Sequence, residues 1–172
     1  MACALTEGYS ATCKDESGGI KRVLLTEFSN VSYTLLTGEI TAITMATGTR
    51  FWGWNLEHEV STAQSVMTMT RANGTIMTDE TINMVLNDNR KETRNQIMLL
   101  AQNDLFAIIE MNNGDFEAFG LDAGVTLTTD TRVMGTALGD RNGNEIVLAG
   151  REKQLPPKVD STIIAALLIP TS

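Results

Sequence analysis

The sequence predicts a mainly β fold, a β-sandwich or β-barrel formed by one domain over residues 1–172. Alternating apolar and polar residues recur along most of the chain, which is the period of half-buried strands. Two Asn-Gly pairs separate such strands, and a single segment has helical periodicity. A chain of 172 residues buries about 70% of its unfolded surface, so it needs no disulfides to be stable.

The one short α-helix is predicted over about residues 90–102. Residues 81–86 alternate as a strand before it, and Asn87–Asn89 offers side-chain oxygens to the free amides of a helix N-terminus. Leu105–Ile109 follows as a continuous apolar run, typical of a strand covered on both faces. The stripe that faces the core consists of Thr93, Ile97, Leu100 and Ala101. The helix is therefore expected to cover one face or one open end of a β-sheet.

Two hairpins are predicted, because Asn-Gly suits the positive φ angles of a type I′ turn. Asn73-Gly74 joins the strands of a long β-hairpin over about residues 62–86, and Asn113-Gly114 leads into a strand at residues 116–119. The long hairpin is expected to need a partner, because unpaired strands promote aggregation. Its polar face carries Gln64, Thr68, Thr70, Asp79, Thr81 and Asn83, interrupted by Val66, Met77 and Val85.

Residues 50–61 alternate as one long strand. One face carries Trp52, Trp54, Leu56, His58 and Val60, which predicts that the tryptophans lie in the core or in an interface. On that face, His58 is expected to be a core histidine rather than a catalytic one. Glu57 and Glu59 share the other face, where the two carboxylates indicate a solvated surface rather than acid–base catalysis.

The rest of the chain is expected to be strand and loop. Residues 1–19 are polar and predict an extended N-terminal arm, which either docks on a neighbouring subunit or ends free in solvent. Pro156-Pro157 interrupts the chain before a final apolar strand at residues 161–168. Further strands are predicted at residues 20–28, 31–36, 40–45, 125–129 and 145–150, with a loop over residues 130–144.

Composition restricts the classes of function. The net charge of −8 disfavours proteins that grip nucleic-acid phosphates, because these need clustered Lys and Arg. An acidic surface would nevertheless let DNA pass without binding it. Cys3 and Cys13 are expected to be reduced thiols, and with the single histidine they are too few for a zinc site. Neither a signal peptide nor a membrane span is predicted.

No catalytic motif is found in the sequence. It lacks a phosphate-binding loop, a dinucleotide fingerprint and a nucleophile elbow. Asp140–Asn144 begins like a calcium loop, but Glu145 stands where that loop requires Gly, and Arg151 where it requires Glu. A tight Asn-Gly turn explains the segment better. The sequence therefore predicts neither an enzyme nor a cofactor, but a protein that associates with copies of itself.

Two segments resemble a known family. Cys13–Lys21 and Gly135–Gly143 are similar to virion structural proteins of tailed phages that infect Bacteroidetes-type hosts. The order of strands, long hairpin, one helix, second hairpin and terminal strands resembles the bacteriophage tail tube family. The resemblance implies a tail-tube-like sandwich or barrel whose subunits form a hexameric ring. Rings of this family stack into a hollow tube through which DNA is ejected, and the family has no catalytic residues to carry over.

The resemblance also implies where the subunit would make contacts. Its partners would be further copies of the chain and other tail proteins, namely a sheath or terminator and a baseplate. DNA would pass through without specific binding, in a virion assembled in the host cytoplasm. The lumen-facing candidates are Glu57, Glu59, Gln64, Thr68, Thr70, Asp79, Thr81 and Asn83. The three carboxylates among them would make the lumen negatively charged, so that its wall would repel DNA phosphates. The inter-subunit candidates are Cys13, Lys14, Asp15, Asp140, Arg141, Asn142, Ile163, Ile164 and Leu167.

Two alternatives stay open at this point. Another virion ring or joining protein, such as a tail terminator, a baseplate hub or a head decoration protein, would oligomerise without forming long tubes. A monomeric carbohydrate-binding β-sandwich would use Trp52 and Trp54 as a platform, which requires both side chains on a concave exposed surface. Electron microscopy of the purified protein would distinguish tubes, rings and monomers.

Overall fold

The computed structural model describes residues 8–9 and 17–168 of the chain. Strands make up 51% of these residues and helices 13%, which confirms the mainly β prediction. The strands form two sheets in a sandwich-like fold, and the described strands do not close into a barrel. The arm predicted over residues 1–19 lies largely outside the described range, and with it Cys13, Lys14 and Asp15.

The described fold contains eleven strands, two α-helices and one short 3₁₀ turn. The strands are β1 Ile20–Glu27, β2 Val31–Leu36, β3 Glu39–Met45, β4 Trp52–Asn55, β5 Thr62–Thr70, β6 Thr75–Leu86, β7 Leu105–Met111, β8 Phe116–Phe119, β9 Thr126–Val133, β10 Gly143–Glu152 and β11 Lys158–Val159. The helices are α1 Lys91–Leu100 and α2 Ser161–Leu167, and the 3₁₀ turn is Phe28–Asn30.

The larger sheet has seven strands in the order β2-β3-β11-β8-β7-β1-β4, and the smaller has four in the order β5-β6-β10-β9. Neighbouring strands are antiparallel except β11 and β3, which pair in parallel. The two-residue β11 lies between β3 and β8, where Lys158 is the register partner of Glu39 and of Glu117. The predicted long hairpin is confirmed as β5 and β6, and the shorter one as β7 and β8.

Both faces of the larger sheet are buried. On β1, Val23 and Leu25 belong to the core between the two sheets, whereas Leu24 belongs to a second core that includes residues of α2. The first six residues of β7 are all buried, as the apolar run predicted. The smaller sheet buries one face only, so its other face is available to solvent or to a partner.

Helix α1 begins directly after the predicted capping segment, but its N-cap residue is Arg90, which makes no side-chain cap hydrogen bond. The Asp88 carboxylate accepts hydrogen bonds from Arg90 N (3.0 Å), Arg90 Nε (2.7 Å) and Thr93 Oγ1 (2.9 Å). These bonds, with that of the Arg90 side chain first, hold the pKa of Asp88 below its ordinary value. Ile97 and Leu100 are buried between the sheets as predicted, but Ala101 lies beyond the helix and is exposed.

The strand predicted at residues 161–168 is wrong, because this segment forms the helix α2. Asp160 caps the helix: its Oδ1 accepts hydrogen bonds from Thr162 N (2.9 Å) and Thr162 Oγ1 (2.8 Å). A short apolar run suits a strand and a helix equally well by its pattern alone. The cap favours the helix here, so the protein has a second helix that the sequence analysis did not predict.

The helix α2 also overturns an inter-subunit role for its apolar residues. Ile164 and Leu167 are buried against the larger sheet, and Ile163 is partly buried in the same core. The Phe51 amide donates a hydrogen bond to the Leu167 carbonyl (2.9 Å), which ties the helix to the chain before β4. Ile164 and Leu167 are therefore not available to a neighbouring subunit, because the chain's own core covers them.

The single strand predicted over residues 50–61 is also wrong. Only β4 forms, paired with β1 from Leu25–Trp52 to Arg22–Asn55. Because β1 begins at Ile20, β4 soon has no partner, and the chain turns toward the smaller sheet. His58 and Val60 lie in this turn and are exposed, which corrects the prediction of a core histidine. Alternation along one strand gives no information about where its neighbour ends.

The loop predicted over residues 130–144 is shorter than expected. The strand β9 continues to Val133 and β10 begins at Gly143, and these two residues are paired. Polar residues dominate the second half of β9, where Asp130, Thr131 and Arg132 are all exposed. The apolar alternation used to predict strands does not register such a segment, because neither of its faces is buried.

Candidate assembly surface

The far part of the long hairpin extends beyond the rest of the smaller sheet. The last pair between β6 and β10 joins Thr78 and Glu152, and β5 is at the edge of the sheet. Residues 66–77, called the hairpin tip below, therefore pair only within the hairpin: Val66 pairs with Asp79, Met67 pairs with Thr78, and the remaining strand residues pair with one another. Gly74 turns the tip with φ of 64°, and a Cβ there would have no atom within 4 Å. The tip is a two-stranded projection without a third strand to support it.

The hairpin tip carries exposed apolar side chains on both faces. Their exposed fractions range from 38% to 57%, and they belong to Val66, Met67, Met69, Ile76 and Met77. The register places Val66 and Met77 on one face of the hairpin. It places Met67, Met69 and Ile76 on the opposite face, called the back face below. Arg71 is the only charged residue in the tip. Apolar surface of this extent, continuous along a projection, marks an interaction site.

The predicted polar face is confirmed as a single face of the smaller sheet. Gln64 lies opposite Thr81, and Thr68 lies opposite Met77. Because directly paired residues share a face, the following lie on one side of the sheet: Gln64, Thr68, Thr70, Asp79, Thr81 and Asn83. Gln64, Thr68 and Thr70 are exposed, whereas Asp79, Thr81 and Asn83 are partly exposed.

Two residues of β10 join this polar face and change its charge. Arg151 Nε donates a hydrogen bond to Asp79 Oδ1 (2.7 Å), so the Asp79 charge is paired. Asn83 Nδ2 donates to Glu145 Oε1 (2.9 Å), and this bond, with a weaker contribution from Arg141, lowers the pKa of Glu145. Neither β10 residue was predicted to lie on this face, because the sequence pattern of the hairpin contains no information about its neighbour β10. The face is rich in hydroxyls and amides, with its charges largely balanced.

Two of the predicted lumen-facing residues do not lie on this face. Glu57 and Glu59 belong to the turn between β4 and β5 and are exposed there. Glu59 has φ of 61°, so it cannot continue an extended strand. The structure therefore separates these carboxylates from the polar face, and the predicted pair on one strand is wrong.

The three candidates near residue 140 lie together in the loop between β9 and β10. Asp140 Oδ2 accepts hydrogen bonds from the amides of Thr136 and Ala137 (both 2.7 Å), which lower the pKa of Asp140. Asn89 Nδ2 donates to Asn142 Oδ1 (3.1 Å), which ties the loop to the segment before α1. Arg141 contacts Glu145. The loop also exposes Met134 and Leu138, so a contact with another subunit stays a prediction.

A groove lies between α1, the end of β1 and the edge strand β4. Its volume is about 590 Å³, within the range of ligand pockets. Apolar side chains on its walls include Trp52, Trp54 and Leu99, and polar ones include Glu27 and Arg50. The Trp52 side chain is exposed, and the Arg50 guanidinium lies 3.9 Å from the centre of its ring. We call this site the Trp52 groove.

The positions of Trp52 and Trp54 in the groove test the prediction that the tryptophans lie in the core or in an interface. Trp54 is partly buried and packs against the core between the sheets, as predicted. Trp52 is 58% exposed, so its placement in the monomer core is wrong and an interface is the alternative that stays open. Both side chains line a concave surface, but only Trp52 is exposed on it, so the condition set by the carbohydrate-binding alternative is met by Trp52 and not by Trp54.

Two buried carboxylates accept hydrogen bonds from the turn between β8 and β9, which links the two sheets. Neither carboxylate was predicted from the sequence to be buried. Glu80 Oε2 accepts a hydrogen bond from the Gly120 amide (2.9 Å), and Glu152 Oε2 accepts one from the Asp122 amide (2.8 Å). Both side chains are almost completely buried. The alternation that puts Ile82 in the core also puts Glu80 there, so the signal was present in the sequence.

Burial is the main cause of the altered titration of these two acids. It raises the pKa of Glu80 to about 7, and the nearby Glu152 and Asp122 carboxylates act in the same direction. Burial also raises the pKa of Glu152. Glu80 Oε1, Glu152 Oε1 and Thr78 Oγ1 are buried and have no hydrogen-bond partner among the described residues. A protonated Glu80 therefore avoids the cost of an unpaired buried charge.

Metal sites and membrane-spanning helices were sought in the described part of the chain. There, no three His, Cys, Asp or Glu side chains are grouped so that they could hold a metal ion. Neither α1 nor α2 has the length and hydropathy that crossing a bilayer requires. The features that remain for function are the hairpin tip, the polar face and the Trp52 groove.

In comparisons with known proteins, no family model, no curated protein and no solved structure matches this chain. Its function must therefore be argued from these three surfaces.

Proposed function

We propose that this protein is the structural subunit of a bacteriophage tail tube. Copies of it would join into rings, which by the family resemblance have six subunits each, and the rings would stack into a hollow conduit for DNA. Its other partners would be tail proteins such as a sheath or terminator and a baseplate, within the virion. No catalytic role is proposed.

The hairpin tip is the observation that carries this proposal. A monomer in solution would leave five large apolar side chains exposed on both faces of an unsupported projection. It would also leave β5 as a free edge strand of nine residues. Native proteins avoid such edges because they template aggregation. Association of copies around an axis would cover the tip and give the edge a partner.

The polar face supports a role as the wall of the conduit. Its hydroxyl and amide side chains would hydrate well, and Arg151 already pairs Asp79. A wall with balanced charge would neither bind DNA phosphates strongly nor repel them strongly. DNA would then pass without specific contacts, which is what a conduit for ejection requires.

Electron microscopy and sedimentation velocity test the proposal directly. Purified protein at increasing concentration is expected to form rings and open-ended tubes with a central bore. A single monomeric species at every concentration would contradict the proposal. Isolated rings that never stack would instead favour the related function of a tail terminator, baseplate hub or head decoration protein.

The orientation of the polar face is tested separately in assembled tubes. Thr68→Lys with Thr81→Lys adds two positive charges to that face in every subunit. If the face lines the bore, tubes of this variant are expected to retain short duplex DNA at low salt, whereas wild-type tubes release it. Glu57→Gln with Glu59→Gln, in the exposed turn off that face, is the matched control, because it raises the charge by the same two units. Equal retention by both variants would show that the face does not line the bore.

A carbohydrate-binding function is a second candidate, because Trp52 and Trp54 share a concave surface. Sugar rings stack on exposed aromatic rings, and Glu27 and Gln96 could accept or donate hydrogen bonds at the rim. Titration of oligosaccharides against the fluorescence of the two tryptophans tests it. The Trp52→Ala variant is the control, and a failure of all sugars to change the wild-type signal would exclude this function for the sugars used.

A further inference from the structure

Two exposed apolar features have opposite shapes: the hairpin tip is a projection, and the Trp52 groove is concave. The hairpin tip is a narrow projection whose back face presents Met67, Met69 and Ile76. The Trp52 groove is a concave site of about 590 Å³ with Trp52 and Leu99 exposed on its walls. Each feature lacks a partner of the other's shape within the described part of the chain.

The tip of one copy cannot reach its own groove. The strand β6 has 12 residues and runs from the tip at Thr75 to Leu86, so it spans about 36–40 Å. Helix α1 follows at the Leu86 end: its Met98 lines a depression together with Asn144, which pairs with Leu86. Leu99, beside Met98, lines the Trp52 groove. The tip and the groove are therefore at opposite ends of the molecule.

The side chains of the two sites are chemically complementary. Methionine thioethers pack favourably against aromatic rings, and the groove supplies two indoles. Arg71 is the single charge of the tip, and the groove carries one acidic and one basic residue, Glu27 and Arg50, so that its own charges balance. Contact through the back face would also leave the polar face uncovered, because the two faces lie on opposite sides of the hairpin.

We infer that the back face of the hairpin tip of one copy docks in the Trp52 groove of the next. The contact is head-to-tail, so each copy gives one tip and accepts one, and repetition closes a ring or extends a filament. The inference rests on the proposed function, since it names the contact by which subunits associate. It assigns Met67, Met69 and Ile76 to one side of that contact and Trp52 and Leu99 to the other.

Mixing two defective variants tests the inference. Met69→Ser with Ile76→Ser removes the apolar tip and keeps the groove, whereas Trp52→Ser disables the groove and keeps the tip. All three side chains are exposed, so both variants are expected to fold, which circular dichroism checks. Each variant alone is expected to lose association by about thirtyfold or more, the loss typical of a central interface residue. Their mixture is expected to form a one-to-one dimer and nothing larger, because only one tip and one groove remain intact.

The controls separate a failure of this contact from a failure of the proposed function. Met98→Ser changes an exposed residue of α1 that does not line the groove, and it is expected to assemble as the wild type does. Leu99→Ser gives a second groove variant if Trp52→Ser does not fold. A monomeric wild-type protein would overturn the proposed function. Normal assembly of both groove variants in a wild type that assembles would overturn only this contact.

Tryptophan fluorescence gives an independent readout of the same contact. The protein has two tryptophans, and both line the groove. Docking of a tip is expected to shift their emission to shorter wavelength as the concentration of wild-type protein rises. The Met69→Ser/Ile76→Ser variant is expected to show no such shift. A shift of equal size in that variant would contradict the assignment of the tip to this groove.

Discussion

The strand β6 has two halves that are similar in composition and opposite in surroundings. In the base, Ile82 and Met84 are fully buried between β5, β10 and the larger sheet. In the tip, Ile76 and Met77 are exposed, because this part of β6 extends beyond the last residue paired with β10. The same kind of side chain thus stabilises the monomer in one half and is left for a partner in the other. An apolar pattern indicates that a surface must be covered, but it does not indicate by which chain.

Truncation of Ile82 is expected to have the largest effect on the stability of the monomer. Ile82→Ala removes a fully buried side chain from the core between the sheets and is expected to lower the free energy of unfolding by about 4 kcal/mol. Ile76→Ala in the tip is the matched control, expected to cost less than about 0.5 kcal/mol. Urea unfolding measures both. Similar losses would contradict the distinction between base and tip.

The buried Glu80 is expected to make stability depend on pH. Its pKa is about 7 in the folded chain against 4.5 as the ordinary value, so the folded state holds its proton to higher pH than the unfolded state does. The contribution of Glu80 to stability is therefore complete below pH 4.5 and falls as pH rises toward 7, by about 3 kcal/mol. The raised pKa of Glu152 acts in the same direction.

Glu80→Gln is expected to remove most of this pH dependence, because the amide oxygen can still accept from Gly120 and cannot ionise. Urea unfolding between pH 4 and pH 8 measures the change, in the Met69→Ser/Ile76→Ser background so that association does not interfere. Glu57→Gln, in the exposed turn, is the control and is expected to leave the wild-type profile intact. An identical profile for Glu80→Gln would show that Glu80 is not the responsible group.

Two glycines allow the buried and the exposed parts of the molecule to be compared at turns: Gly120 lies in a packed turn and Gly74 in the exposed turn of the tip. Gly120 has φ of 78°, and a Cβ there would lie 2.8 Å from Val125 N and 2.9 Å from Leu105 O. Gly120→Ala is therefore expected to cost about 2 kcal/mol or more, since neither backbone atom can move freely. Gly74→Ala at the tip, with open space around it, is expected to cost about 1 kcal/mol from the backbone alone. Thermal unfolding ranks the two, and a reversed order would contradict this account.

The smallest effect on monomer stability is expected from the tip itself. Met69→Ser with Ile76→Ser should change the free energy of unfolding by less than about 0.5 kcal/mol, since both side chains are about half exposed. The same variant should lose its assembly, which sedimentation velocity measures. A large loss of stability would mean that the tip folds back on its own monomer.

Local sequence patterns predicted the elements whose determinants lie close together in the chain. Asn73-Gly74 and Asn113-Gly114 marked both hairpins, and alternation placed Ile82 and Met84 correctly. The stripe of α1 was recognised through Ile97 and Leu100, whose spacing is a property of the helix alone. These features need no knowledge of distant residues.

Most of the errors came from information held elsewhere in the fold. The end of β4 depends on where β1 begins, and the paired charge of Asp79 depends on Arg151, which is 72 residues away. The helix α2 is an exception, because its cap at Asp160 lies directly before the apolar run and was not used in the prediction. For the assembly surface, the polar face was predicted from the sequence, but the exposed tip and the groove were not, because they depend on where β10 and β4 end.

The position of β11 has a consequence for when the fold is finished. Two residues, Lys158 and Val159, join the β2–β3 hairpin to the rest of the larger sheet, and the Asp160 amide adds a bond to the Ile40 carbonyl (3.0 Å). During synthesis these residues leave the ribosome after every other strand of the domain. An unfinished chain therefore lacks the strand that links the β2–β3 hairpin to β8, and the larger sheet is completed only after Val159 has left the ribosome.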